Sequence, residues 1–146
     1  MTSGIKQRGF ITYLLLSIVT LGIYHIVFWT KLSKEVNVLC EGDGKKTMKY
    51  VFVWLLNIVT LGIFGLVWKC KLANRLRNNA ARYNLRFSES GALVVVYSTV
   101  GFILAGCGPL VANWALIKNF NAMANAFNDY NGLETPNKSE LFADAE

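Results

Sequence analysis

The sequence has little of what catalytic and metal sites are usually made from. It contains one histidine, three cysteines and nine acidic residues in 146. The widely spaced Cys40, Cys70 and Cys107 fit neither a metal-binding pattern nor a disulfide framework. No serine lies in a nucleophile elbow, and no pair of carboxylates is recognisable. The sequence therefore predicts a protein that is not an enzyme, with no catalytic residue, metal or cofactor.

Charged residues are absent from three long stretches of the chain. Residues 9–30, 50–68 and 90–117 contain no Asp, Glu, Lys or Arg over 22, 19 and 28 residues. A helix of about 20 apolar residues is needed to cross a bilayer core of about 30 Å. Hydrophobic residues make up 53% of the whole chain. These features predict an all-α integral membrane protein.

The apolar stretches belong to an internal repeat. The run Ile-Val-Thr-Leu-Gly-Ile at 18–23 recurs at 58–63, and a weaker third copy aligns Gly108 with Gly62. A repeat of this kind indicates one supersecondary unit used several times. We therefore expect a helical membrane domain over residues 1–131, followed by an acidic, mobile tail at 132–146. The expected units cover about 8–40, 48–87 and 90–131.

Each unit contains a glycine at which a helix can end. The third has Gly106-Cys107-Gly108-Pro109, a strong signal for a helix stop and restart. The predicted breaks or hinges are Gly22, Gly62, Gly106, Gly108 and Pro109.

Two architectures stay open for these helix–Gly–helix units. They are either hairpins that enter and leave on one side, or kinked spans that each cross the bilayer. Three crossings would place eight Lys and Arg residues on one side and seven on the other. This balance favours hairpins, because cytoplasmic flanks are normally enriched in positive charge. Insertion of the chain in both orientations would give the same balance.

Each unit continues into an amphipathic extension. After the second unit, Leu72, Leu76 and Ala80 recur at helical spacing among six basic residues. A basic helix with one apolar face is typical of the headgroup zone of a membrane. The predicted contacts with anionic lipid headgroups are Lys69, Lys71, Arg75, Arg77, Arg82 and Arg86. Nucleic acid is not an expected partner, because basic flanks are the normal signature of a membrane protein.

Several residues inside the apolar stretches are predicted to pack helices together. Asn57 and Asn113 need hydrogen-bond partners there, and neighbouring helices can supply them. Gly101 and Ala105 are four residues apart and allow close helix approach. His25 is expected to be a lone neutral histidine near an interface, since no acidic partner lies in any apolar stretch.

One phrase of the sequence resembles a known family. Leu-Ser-Ile-Val-Thr-Leu-Gly-Ile-Tyr at 16–24, followed by Phe28-Trp29 and Lys31-Leu32, is similar to a bacterial membrane-domain family known as domain of unknown function 4234. The second copy at 58–72 is equally similar, and the resemblance extends over residues 8–131. It implies a protein of the bacterial cytoplasmic (inner) membrane, multi-pass or hairpin-inserted, and supplies no mechanism.

These features together predict a non-enzymatic anchor, scaffold or accessory subunit of the membrane. The expected partners are anionic membrane lipids, together with a second copy of the chain or another membrane protein. The alternative is a small oligomeric channel or transporter. The apolar stretches offer few polar residues for transport: Thr20, Thr60, His25, Asn57 and Asn113.

Overall fold

The computed structural model describes residues 4–133, and in this part the chain forms six α-helices. Consecutive helices pair as three hairpins, α1–α2, α3–α4 and α5–α6, and in each pair the first helix is the shorter. A single 3-10 turn follows α4. The bounds are α1 Phe10–Val19, α2 Ile23–Leu39, α3 Tyr50–Val59, α4 Ile63–Ala80, α5 Gly91–Ala105 and α6 Gly108–Tyr130.

The hairpins lie with their turns at one end of the molecule. Near the start of α2 and α4, the rings of Trp29 and Trp68 are 6.0 Å apart. Beyond the far end of α4, the Tyr83 hydroxyl donates a 2.6 Å hydrogen bond to the Leu39 carbonyl at the end of α2, and its ring packs on Phe127 late in α6. The three long helices therefore run in the same direction. We call their first end the turn end and their last end the base.

The core lies between the long helices. Their buried residues recur every three or four positions, which is the spacing of one helix face. The apolar face of each long helix is thus used inside the protein. The buried side chains include Trp29, Leu32 and Val36 of α2, Leu72 and Leu76 of α4, and Leu116, Phe120 and Met123 of α6.

Polar contacts fix the N-terminal segment at the base. Arg8 forms an ion pair with Glu35 of α2 at 2.7 Å, in which its Nε and Nη2 both donate hydrogen bonds to the carboxylate. The side chain of Asn121 bonds the backbone of Arg8, and Asn128 does the same for Ile5, at 2.7 to 2.9 Å. These contacts join the first and third hairpins far from the turns.

The prediction of an integral membrane fold is wrong. Within residues 4–133, none of the helices combines the length and the apolar character that a membrane crossing requires. The ten residues of α1 or α3 extend about 15 Å, half of a bilayer core, and the 15 of α5 about 22 Å. The uncharged stretches are longer than this because each continues across a break into the next helix.

The corrections extend to the location predicted for the chain. The expected transmembrane helices are absent from the described residues, so the multi-pass or hairpin-inserted placement in the bacterial inner membrane loses its basis. The acidic tail expected at 132–146 lies outside the described residues from position 134 onward.

Candidate functional site

The repeated Thr-Leu-Gly phrase forms the turns of the first two hairpins. The Thr20 hydroxyl donates to the Leu16 carbonyl at 2.7 Å and accepts from the Tyr24 N–H at 2.9 Å. The equivalent hydrogen bonds of Thr60 measure 2.8 and 3.1 Å. One hydroxyl therefore bonds both a carbonyl in the last turn of the short helix, which the threonine's own N–H also bonds, and an N–H at the start of the long helix.

Each of these turns holds a leucine in a conformation that leucine rarely adopts. Leu21 and Leu61 both have a φ of +52°, and Gly22 and Gly62 follow with φ values of +90° and +88°. The left-handed region costs a side-chain-bearing residue about 1–2 kcal/mol, and glycine or asparagine would be favoured there. The two leucine side chains are nevertheless 95% and 92% exposed. Neither the backbone nor the core accounts for a leucine at this place.

Further exposed apolar residues lie next to both leucines in the sequence of the turns. The residues that flank each Thr-Leu-Gly phrase, a valine before it and an isoleucine after it, are at least 64% exposed. No charged residue lies within 9–30 or 50–68, so these turns carry no charge. An exposed apolar patch of this kind marks an interaction site. We call this set the turn surface: Val19, Leu21, Ile23, Val59, Leu61 and Ile63.

The third turn is built differently. Gly106 has a φ of +70°, and Pro109 lies in the first turn of α6. A Cβ on Gly108 would lie 2.0 Å from the Tyr97 carbonyl oxygen and 2.6 Å from the Cα of Gly101, so α5 and α6 approach at backbone distance here. The side chain of Ala105, another predicted packing residue, lies outside what the structure describes.

The six predicted headgroup-contact residues do not share one face. Lys71 and Arg77 are exposed on α4, and Arg82 and Arg86 are exposed beyond it, toward the base. Arg82 donates to the Glu41 carbonyl at 2.8 Å. Lys69 and Arg75 are instead directed into the protein, where each has hydrogen-bond partners.

Arg75 is the centre of a buried polar cluster at the base. Its side chain donates five hydrogen bonds, two to the Asp43 carboxylate and one each to Asn37, Thr47 and the Lys45 carbonyl, at 2.6 to 3.0 Å. The guanidinium beside Asp43 holds the pKa of that carboxyl well below its usual range. The cluster fixes the 40–49 loop against α4 and uses every N–H of the guanidinium.

A second polar cluster lies in the core and joins all three hairpins. The His25 ring bonds the Tyr13 hydroxyl at 2.6 Å and the Tyr50 hydroxyl at 3.0 Å. Asn113 of α6 donates to Tyr13 at 3.2 Å and accepts from the Lys69 ammonium at 2.7 Å. The sequence suggested that His25 is a lone side chain, but in the structure it has two hydrogen-bond partners. Sequence reasoning missed both tyrosines, because nothing in the repeat pairs them with His25.

Burial changes the charge states of this core cluster. It lowers the pKa of His25 to about 4, with the nearby Lys69 acting in the same direction, so the ring is neutral at pH 7. Burial also lowers the pKa of Lys69 to about 8. The cluster is a network of neutral donors and acceptors around one ammonium group, without an acidic partner among its members.

Asn57 acts within the second hairpin. Its side-chain oxygen accepts a 2.5 Å hydrogen bond from the Gly65 N–H, which links α3 to α4. A Cβ on Gly65 would lie 2.6 Å from the Asn57 amide nitrogen, so the contact requires glycine at that position. Asn113, by contrast, connects different hairpins through Tyr13 and Lys69.

The described residues do not present a recognisable set of metal ligands. Within 4–133, no group of three or more His, Cys, Asp or Glu side chains is placed to hold a metal ion. The thiols are also dispersed: Cys40 is buried, Cys70 half-buried and Cys107 exposed at the third turn. Burial raises the pKa of Cys40 to about 11, so this thiol stays protonated at neutral pH.

Comparison with known proteins places the first two hairpins in a family. Residues 8–78 match the family model described as a domain of unknown function, DUF4234, so the match ends before α5 and the third repeat. No curated protein matches the chain. No solved structure matches it either. The resemblance seen in the two Thr-Leu-Gly units is thereby confirmed, and residues 8–78 belong to the family of the domain of unknown function 4234.

Proposed function

We propose that this protein is a non-enzymatic anchor or scaffold that binds the surface of a lipid bilayer through its turn end. In this arrangement the turn surface contacts the acyl chains of one leaflet, and no helix crosses. The observation that carries the proposal is the pair of exposed leucines, Leu21 and Leu61, which both turns hold in the left-handed region. In water an exposed leucine does not stabilise such a turn, whereas transfer of its side chain into an apolar medium is favourable.

The distribution of charge supports the same orientation. The turn surface is uncharged, while the Arg8–Glu35 and Arg75–Asp43 ion pairs lie toward the base. A protein bound at an interface buries its apolar part about 5–10 Å below the headgroups and keeps its charges outside. Transfer of one leucine side chain out of water contributes about 1.5–3 kcal/mol. Leu21 and Leu61 together therefore contribute about 3–6 kcal/mol to binding.

Self-association would also cover apolar residues, but the shape of the turns fits lipid better. Leu21 and Leu61 stand on separate turns, and almost the whole of each side chain is free of protein contact. Such projections can enter between lipid chains, whereas a protein interface needs a broad complementary surface. Lipid is therefore the partner that we propose for the turn surface.

Flotation with lipid vesicles tests this function. Vesicles of phosphatidylcholine with phosphatidylglycerol should carry the protein upward in a density gradient. The double variant Leu21→Asn/Leu61→Asn should lower the partition coefficient at least about a hundredfold, as the loss of about 3 kcal/mol implies. Tyr130→Asn is the matched control, since Tyr130 is 83% exposed but lies at the base. Unchanged flotation of the double variant, or oligomers that ignore vesicles, would refute the proposal.

A further inference from the structure

A groove of about 690 Å³ runs along α4 beside the 43–49 loop. Its volume is in the range of small-molecule sites, about 300–1,000 Å³. Its α4 lining extends from Phe64, close to the second turn, to Asn78 near the base. Fourteen residue steps of helix cover about 21 Å, which is about half the thickness of a bilayer with its headgroups.

The groove changes in polarity along its length. Its lining near the turn end is apolar and consists of Phe64, Val67 and Trp68, with Met48 from the loop. Toward the base the lining becomes cationic and amide-rich: Lys45, Lys46, Lys71, Asn74 and Asn78. The order of apolar and polar parts is that of a phospholipid in the leaflet against which the turn end would lie.

The positive charges of the groove lysines are not neutralised by carboxylates of the described residues. Lys45, Lys46 and Lys71 are exposed, and no carboxylate in residues 4–133 pairs with their ammonium groups. Arg75 also lines the groove, but its donors and its charge are already used by Asp43 and its neighbours. The groove therefore has three available positive charges at one end and lacks an available negative one there. This charge complements an anionic headgroup.

We infer that this groove binds one anionic phospholipid, with its phosphate between Lys46 and Lys71 and an acyl chain over Phe64 and Val67. The inference rests on the proposed function, since the bilayer at the turn end is the source of the lipid. It adds a choice of headgroup to that function. The turn surface binds any fluid bilayer, whereas the groove selects lipids whose headgroup carries net negative charge.

Calorimetry with lipid monomers tests the groove apart from the turn surface. Dihexanoylphosphatidylglycerol, kept below its micellar concentration, should bind the full chain with a stoichiometry of one. Dihexanoylphosphatidylcholine has the same chains without net charge and should bind about tenfold more weakly. Glycerol 3-phosphate has the anionic phosphate without the chains and should give no measurable heat. Equal affinity for the two lipids, or binding of glycerol 3-phosphate as tight as that of the lipid, would overturn the inference.

Two variants locate the site. Lys46→Gln/Lys71→Gln should weaken binding of the phosphatidylglycerol monomer about tenfold. The control Lys31→Gln/Lys34→Gln removes the same charge from exposed sites on α2 and should leave this binding unchanged. Val67→Trp fills the apolar part of the groove and should abolish binding without a change of charge. If Lys31→Gln/Lys34→Gln weakens binding equally, net charge explains it and the groove does not.

The two proposals can fail separately. Loss of the groove should leave flotation with pure phosphatidylcholine vesicles intact, because Leu21 and Leu61 are unchanged. Vesicle binding with no binding of lipid monomers refutes the groove alone. Absence of vesicle binding by the unaltered protein refutes the proposed function.

Discussion

Replacing Leu21 and Leu61 by asparagine should make the protein more stable in the absence of lipid. Both leucines have a φ of +52° and make almost no protein contact, so their replacement removes strain and little packing. The left-handed conformation costs about 1–2 kcal/mol for an ordinary residue and less for asparagine. We expect a gain of about 1 kcal/mol at each turn, and about 2 kcal/mol for the double variant, since the turns are separate.

Thermal unfolding followed by far-ultraviolet circular dichroism measures this gain. A chain of this size should show a melting temperature about 4–8 °C higher in the double variant. Vesicles should reverse the order, because they stabilise the unaltered protein through its leucines. Leu15→Asn is the control: Leu15 is 57% exposed within α1, so its replacement should lower stability slightly through helix propensity. A lower melting temperature for the double variant without lipid would refute the reasoning.

Three further predictions concern the polar clusters and the third turn. The pKa of His25 is about 4 in the folded protein, below its ordinary 6.5, so the unfolded chain binds more protons between these two pH values. Urea denaturation should therefore show the free energy of unfolding falling by up to about 3 kcal/mol from pH 6.5 to 4, and His25→Gln should flatten this fall. Asp43→Asn leaves the buried Arg75 charge uncompensated and should cost about 3–5 kcal/mol of unfolding free energy, whereas Glu41→Gln on an exposed site should be neutral. Gly108→Ala forces a methyl group against backbone atoms of α5 and should cost about 1–3 kcal/mol in the same assay, and a neutral result would contradict the close helix approach.

Much of the local structure can be predicted from the sequence, but little of how the hairpins pack against one another can be. The Thr-Leu-Gly repeat identifies the family, and a hydroxyl that bonds both flanking helices explains why it can end one helix and begin another. The length of an uncharged stretch was misleading. Residues 50–68 are uncharged throughout, yet α3 ends at Val59 and the chain reverses at once. Hydropathy counts residues across such a break and therefore predicted spans where none of the described helices is both long and apolar enough to cross.

Contacts between distant parts of the chain were beyond sequence reasoning for a different reason. Lys69 and Arg75 fit the pattern of a basic amphipathic helix, but their partners are Asn113, 44 residues away, and Asp43, 32 residues away. Helical periodicity gives the direction of a side chain and not what it meets. The cluster around His25 depends on the same long-range placement, since it needs α1, α3 and α6 in position.

The orientation of the turn end toward lipid is tested most directly by nitroxide labels at two exposed positions. Leu61→Cys places a label on the turn surface, and Lys34→Cys places one on α2, in a chain with Cys70→Ser and Cys107→Ser; Cys40 is buried. On addition of phosphatidylcholine–phosphatidylglycerol vesicles, the label at 61 should become more accessible to oxygen and less accessible to a water-soluble nickel chelate, while the label at 34 should not change. A label at position 61 that stays as accessible to nickel as the one at 34 would contradict the account.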